Sequence, residues 1–408
     1  MISFPFKNTY FLLVFLMFFS LISCTQKNQD KNKKLVDTIA SAEAASIVDH
    51  DIVVGANRVE SYLHLLKNKR VGLVANQTSV IFKRDGSYIH LVDSLIQSSI
   101  NITKVFSPEH GFRGKADAGE KVTDGKDAQT GLPIVSLYGK NRKPSKTQLD
   151  NLDLVIFDIQ DVGVRFYTYI STMHYVMEAC AEAGIPVLIF DRPNPNGHYV
   201  DGPTLEIEHK SFVGMHPIPL VYGMTIGEYA HMINGEQWLK NGIQCEIEVI
   251  PLKNYTHSSS YHLPIRPSPN LPNDTSINLY PSLGFFEGTI INAGRGTEWQ
   301  FQRYGAPFFP ESDFTYTPKP NFGSKSPKHN GKVCYGVNLE NEKRLSEVTI
   351  QWILDAYHKT PKSEKFFGAS FTRHAGSTKL EAQLKDGLTS EQIHESWQTQ
   401  VKDFKKVR

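Results

Sequence analysis

The feature that most narrows the folds open to this chain is a repeated switch of hydrophobic period in its middle. Residues 152–159 (LDLVIFDI) form a short run of β-branched and aromatic residues, the signature of a strand covered on both faces. Residues 168–183 then carry helical spacing closed by Gly184, and residues 185–190 (IPVLIF) return to a buried strand. Residues 70–75 (RVGLVA), 102–106 (ITKVF) and 244–250 (QCEIEVI) repeat the strand texture. Residues 88–96 have helical spacing, and Thr225 with Glu228 reads as a capping box opening a helix to about Lys240. Strands alternating with helices predict an α/β domain around a Rossmann-like, mostly parallel sheet with helices on both faces.

The texture changes at about Tyr255. From there to Pro281 the chain is rich in Pro, Ser, Asn and His, which predicts a linker or bridging loop. Beyond it the pattern is α+β: an amphipathic helix over 345–358, then a capping box at Thr389 and Gln392 leading a last helix through Trp397 and Phe404. The reading is therefore a catalytic-sized domain over 51–254 and a smaller α+β domain over 255–408. No internal repeat is present.

The first residues belong to neither domain. Lys7 is followed by a predominantly apolar run of 13 residues from Tyr10 to Ile22, too short for a membrane span of about 20 but suited to the apolar region of a signal peptide. Leu21-Ile22-Ser23-Cys24 resembles a bacterial lipobox, which makes residues 1–23 a leader, Cys24 an acylation site, and residues 24–50, polar and rich in Lys, Asn, Gln and Ala, a flexible tether. The expected location is the cell envelope, facing the periplasm or on the outer membrane. The three remaining cysteines, Cys180, Cys245 and Cys334, cannot all pair, and buried free thiols are expected. Lys plus Arg number 44 against 42 Asp plus Glu, a formal charge of +2, which argues against a dedicated nucleic-acid binder.

In an open α/β sheet ligands bind beyond the carboxyl ends of the strands. Three polar clusters follow strand candidates: Ser107-Pro-Glu-His-Gly111, Asp158 to Tyr169, and Asp191-Arg-Pro-Asn-Pro-Asn-Gly197. They bring Glu109, His110, Asp158, Asp161, Arg165, Asp191, Arg192 and Asn194 towards one rim. A fourth cluster, with Glu287 and then Asn292-Ala-Gly-Arg-Gly-Thr-Glu298, is rich in glycine and so able to approach a ligand closely. Aromatics beside these charges, Tyr167, Tyr169, Trp299 and Phe301, suit the apolar faces of sugar rings or plain packing. Structural alternatives stand beside each: Glu109 paired with Arg113, Asp158 bracing the next helix, Asp161 paired with Arg165, and the Asp-Arg-Pro-Asn-Pro stretch as a rigid turn. His110 near carboxylates invites a metal, yet no HExxH and no Cys/His spacing supports one. GxSxG, the phosphate-binding GxxxxGK[ST] and a complete dinucleotide fingerprint are all missing, so no cofactor is expected.

Taken in order, SPEHGFRG (107–114), LVIFDIQDVGVRFYTY (154–169), DRPNPNG (191–197) and EGT…NAGRGTEWQF (287–301), with the later His374-Ala-Gly-Ser377 and Glu395-Ser-Trp397, resemble the exo-β-N-acetylmuramidase family. The resemblance spans roughly Val53 to the C-terminus. It implies a Rossmann-like first domain, a smaller second one, an active cleft between them, and exo-hydrolysis of the β-1,4 bond after a non-reducing N-acetylmuramic acid of peptidoglycan fragments. Glycoside hydrolysis needs an acid and a second carboxylate, or substrate assistance by the 2-acetamido group. Glu109 is the candidate acid, with His110 beside it. Asp158 or Asp161 is the candidate second group, and Glu287 and Glu298 are alternatives. Arg295 is expected to hold the lactyl carboxylate, with Arg165 or Arg192 next. Two rivals are a metal-dependent amidase or deacetylase on cell-wall sugars and a lipoprotein that binds glycan without cleaving it.

Overall fold

The computed structural model describes residues 51–113 and 124–408. The expected leader, the acylated Cys24 and the tether lie outside the described residues. Among the described residues no helix is long and apolar enough to cross a membrane.

The strands of the first half are β1 (Val71–Ala75), β2 (Val80–Phe82), β3 (Tyr88–His90), β4 (Ile102–Ser107), β5 (Gly125–Lys126), β6 (Pro133–Ser136), β7 (Leu154–Asp158), β8 (Val187–Phe190) and β9 (Ile247–Ile250). Seven of them form one sheet in the order β5-β6-β4-β1-β7-β8-β9, parallel except for the β5 edge. The chain moves outward from β1 through β4 to β6, then crosses back to β7 beside β1 and continues the other way. That reversal is the switch point of a doubly wound sheet, where the loops after neighbouring strands diverge and leave room for a ligand.

Period-2 alternation divides the sheet's side chains between two cores. Leu154, Ile156, Leu188 and Phe190 face one, together with Tyr62, Leu66 and Leu95. Val155, Phe157, Val187 and Ile189 face the other, which is much larger. It continues through the helix Tyr169–Ala183 into the second half as far as Phe404. Ile52–Arg408 is accordingly one compact unit. The second half adds β10 (Arg303–Ala306), β11 (Thr315–Tyr316) and β12 (Cys334–Asn338) in a small antiparallel sheet ordered β10-β12-β11.

Local structure departs from the periodicity in two instructive places. Residues 88–96 are not one helix: Tyr88–His90 pairs antiparallel with Val80–Phe82, and a helix runs only over Leu91–Gln97. His90 makes the break, because its extended backbone and its ring, which accepts from Val92 N–H, cap the helix there. The expected linker over 255–281 contains the start of a helix, Asp274–Leu283, capped by Asn273 with Ser276 in a reciprocal box. The two capping boxes read from sequence are both formed, at Thr225/Glu228 and Thr389/Gln392. The last helix, however, is two, Ser390–Glu395 and Gln398–Val407. Cys180, Cys245 and Cys334 are free and buried, and burial pushes the thiols of Cys245 and Cys334 up to about 12, which leaves them unreactive.

Candidate active site

A cavity of about 430 Å³ opens at the carboxyl-end rim of the sheet, and both halves of the chain line it. That volume lies within the range of small-molecule sites. Glu109, His110, Tyr167 and Tyr169 reach it from the first half; Glu287 and Arg295 reach it from the second.

Glu109 arrives on a tight turn. After β4 the Pro108 carbonyl accepts from Gly111 N–H at 3.1 Å, and His110 takes a left-handed backbone with φ 71°. A residue other than glycine seldom holds that conformation without outside support. Here the support is visible: the His110 ring meets Ser268 Oγ at 3.2 Å, inside the stretch expected as a linker. Tyr167 O–H donates to the Pro267 carbonyl at 2.7 Å, clamping the same loop to the rim. The Glu109 carboxylate accepts from Thr168 Oγ at 3.0 Å. Thr168 is the N-cap of the helix Tyr169–Ala183, yet its hydroxyl makes no capping bond and serves Glu109 instead. Burial, together with the charge of Glu109 and a bond to it, pushes the Tyr138 phenol up, so this second hydroxyl stays protonated beside the carboxylate. Arg113, the alternative partner, pairs with Asp127 at 2.8 Å and Asp93 at 3.3 Å.

Glu287 lies in the 3₁₀ turn Gly284–Gly288, which the sequence places directly after the helix Asp274–Leu283. The turn packs tightly: a Cβ on Gly284 would fall inside the ring of Phe166. Arg295 Nη1 donates to Glu287 at 2.7 Å. Burial opposes ionisation of Glu287, but the charges of Arg295, Lys328 and His374 outweigh it and hold the carboxyl below the usual range. Lys328 is fixed by donating to the Phe286 carbonyl at 2.7 Å. His374 also lines the cavity, and its Nδ1 is 2.9 Å from the Ser370 carbonyl. Burial lowers its pKa, and in the neutral ring Nδ1 must carry the proton, leaving Nε2 as an acceptor. The walls are aromatic and interlocked edge to face: Tyr167 on Tyr169 at 4.8 Å, Phe166 on Tyr280 at 5.0 Å, Tyr280 on Phe301 at 4.7 Å.

The other expected site residues are not brought to the cavity. Asp158 is fully buried and bound twice by Arg192, at 2.6 and 2.8 Å, so neither of the pair is available to substrate. Asp161 accepts from Gly163 N–H at 2.7 Å and from Tyr222 O–H, and burial raises its pKa to about 6. It sits behind the aromatic wall. Asp191 accepts from Thr225 Oγ and Gly227 N–H, both at 2.9 Å, and so ties β8 to the helix Ile226–Gly235. Asn194 builds the Asp-Arg-Pro-Asn-Pro turn by donating to the Met224 carbonyl and accepting from Asn196 N–H, both at 2.8 Å. Glu298 is exposed and lines no part of the cavity. Strand order delivers Asp158, Asp161, Asp191, Arg192 and Asn194 to one end of the sheet, but the ends of β7 and β8 and the turns after them bury these side chains.

Arg165 is the most unusual of them. It is fully buried and pairs with no carboxylate; its guanidinium donates to four carbonyls, of Pro203, Ile218, His374 and Ala375, at 2.5 to 3.2 Å. It therefore positions His374 by holding the backbone on which that ring stands. Arg165→Met is expected to cost about 3 kcal/mol or more, because buried carbonyls lose a charged donor. Urea unfolding measures this, and a loss below about 1 kcal/mol would contradict the role.

Among the described residues, Glu206, Glu208 and His209 are the one group of ligand atoms close enough to share a metal, and none of them lines the cavity. Sequence reasoning missed Tyr138, Tyr280, Ser268 and Asn270 at the cavity, along with His374, which stands in a quoted motif without an assigned role.

A sugar-sized cavity with aromatic walls and two carboxylates, on a doubly wound α/β sheet completed by a smaller second part, is an arrangement that suits a glycosidase. The chain belongs to the exo-β-N-acetylmuramidase NamZ family: the model of that family's N-terminal part matches residues 71–275 and that of its C-terminal part matches residues 278–408. It is 36% identical over 424 aligned residues to the peptidoglycan β-N-acetylmuramidase NamZ of Bacillus subtilis (strain 168), with 98% of each chain covered. Two crystal structures of proteins of the DUF1343 family from Bacteroides fragilis NCTC 9343 share the fold. One is 43% identical with a TM-score of 0.80, over 88% of this chain and 97% of that one. The other is 29% identical with a TM-score of 0.74, over 87% and 97%.

Proposed function

We propose that this protein is an exo-β-N-acetylmuramidase that releases N-acetylmuramic acid from the non-reducing ends of peptidoglycan fragments during cell-wall turnover. The observation that carries the reading is that Glu109 and Glu287, from the two halves of the chain, line one cavity in a member of this family.

In this reading Glu109 protonates the leaving oxygen. Thr168 donates to its carboxylate, and the Tyr138 hydroxyl bonds it as well. Glu287, kept ionised by Arg295, Lys328 and His374, is the second carboxylate, serving as nucleophile, base or stabiliser of the oxocarbenium charge. This reassigns Arg295, whose Nη1 is already engaged by Glu287. Arg142 and Arg373, exposed arginines on the same cavity, are the groups open to the lactyl carboxylate. We also propose that Cys24 anchors the enzyme by acyl chains in the cell envelope; the short apolar run ending at Leu21-Ile22-Ser23-Cys24 supports this. The partners are then muramyl saccharides and, through the anchor, the membrane.

Digestion of a defined muramyl oligosaccharide is expected to liberate N-acetylmuramic acid one unit at a time from the non-reducing end, with activity unchanged by a chelator. Early appearance of internal fragments, or of free acetate in place of sugar, would overturn the reading.

A further inference from the structure

Among the described residues, Ser211 and Asn270 line the cavity with polar side-chain atoms that lack a partner, and Asn270 lacks one on both atoms. Asn270 is 3% exposed, and neither its Nδ2 nor its Oδ1 makes a hydrogen bond among the described residues. Native proteins pair nearly all buried amides, so an amide left unpaired on both atoms, in a residue that lines a cavity, points to a ligand that completes it. The amide's place is maintained by the chain around it. A Cβ on Gly323 would lie 2.6 Å from Asn270 Oδ1, so a side chain at that position would displace the amide. The Asn270 backbone is held as well: its N–H donates to Ser268 Oγ at 3.2 Å, and the same oxygen meets the His110 ring beside Glu109.

We propose that Asn270 reads the 2-acetamido group of the sugar in the cavity; this rests on the glycosidase reading above. A primary amide offers an acceptor and a donor side by side. A secondary amide presents the complement, an N–H and a carbonyl. The acetamido group hangs from the carbon next to the anomeric centre, so its reader must stand close to the acid that protonates the glycosidic oxygen. Asn270 is tied to that acid through Ser268 and His110. Leu271 and Phe301, on the same wall, supply apolar surface for the acetyl methyl. A site that pairs a substrate amide rejects an analogue lacking it, because its own buried groups are then stranded.

The test compares the wild type with Asn270→Ala and with the near-isosteric Asn270→Asp on two aryl β-glycosides of the lactyl sugar, one carrying the 2-acetamido group and one a 2-hydroxyl. On the acetamido substrate both variants should lose about 100-fold in kcat/KM, while on the 2-hydroxyl substrate they should change less than about threefold. An equal fall on both substrates, or no fall, overturns the assignment. A fall confined to substrates bearing a stem peptide on the lactyl group also overturns it, since Asn270 would then read a peptide amide. If the wild type cleaves neither glycoside, the glycosidase reading fails by itself. Calorimetric titration with free N-acetylmuramic acid then tests Asn270 separately, with equal affinity in wild type and variants counting against it.

Discussion

Glu109→Gln is expected to lower turnover of peptidoglycan fragments by about 10³-fold while leaving the fold intact, the range in which a positioned general acid usually contributes. The amide keeps the shape of the carboxyl and its bond with Thr168, but it carries no transferable proton. The size of the loss should depend on the leaving group. A sugar alkoxide needs the proton and should show the full deficit; a nitrophenolate leaves without much help and should show a much smaller one. A purely structural defect would slow both alike. Retention of more than a tenth of wild-type activity on the natural glycan would remove Glu109 as the acid.

Glu287→Gln should be at least as damaging, and on both leaving groups, because a negative charge facing the anomeric carbon is required whichever bond breaks first. Its environment makes a second result specific. Glu287 works ionised, so activity should fall as pH drops through its pKa, which Arg295, Lys328 and His374 hold below the usual carboxylate range. Arg295→Ala removes one of those charges. The pKa of Glu287 then rises, and the acid limb of the kcat profile should move to higher pH, with little change in the preference for muramyl over glucosaminyl substrates. An acid limb that stays in place, together with a lost muramyl preference, would return Arg295 to the role of reading the lactyl group.

The strands of the main sheet were readable because a strand covered on both faces has no polar face to confuse with a helix: β7 and β8 carry continuous apolar runs, and they sit side by side inside the sheet. Partly solvated segments were harder. Tyr88–His90 pairs only within a small hairpin, and its apolar spacing merges with that of the helix that follows. At the site the sequence identifies which residues arrive at the rim but not which way each turn aims them. Glu109 follows one apolar strand and Asp158 ends another; the first is carried on a turn with a left-handed His110, and the second stays in the sheet with Arg192. Ser268 and Asn270 were hidden for a different reason. Pro, Ser and Asn carry turn chemistry wherever they occur, so a loop that lines a cavity has the composition of a linker.

The larger core passes without interruption from the sheet into the second half, and the cavity that holds the two proposed catalytic carboxylates is lined from both. Glu109 and Glu287 can therefore be parted only by breaching packing that the whole of Ile52–Arg408 shares. Such an enzyme does not close its jaws on a polymer. It waits as a fixed socket, and the glycan must present a loose end that fits. Exo-action then follows from the rigidity of the receptacle rather than from any gate, and the rate at which new ends are offered, by whatever cuts the wall upstream, sets how fast the socket is filled.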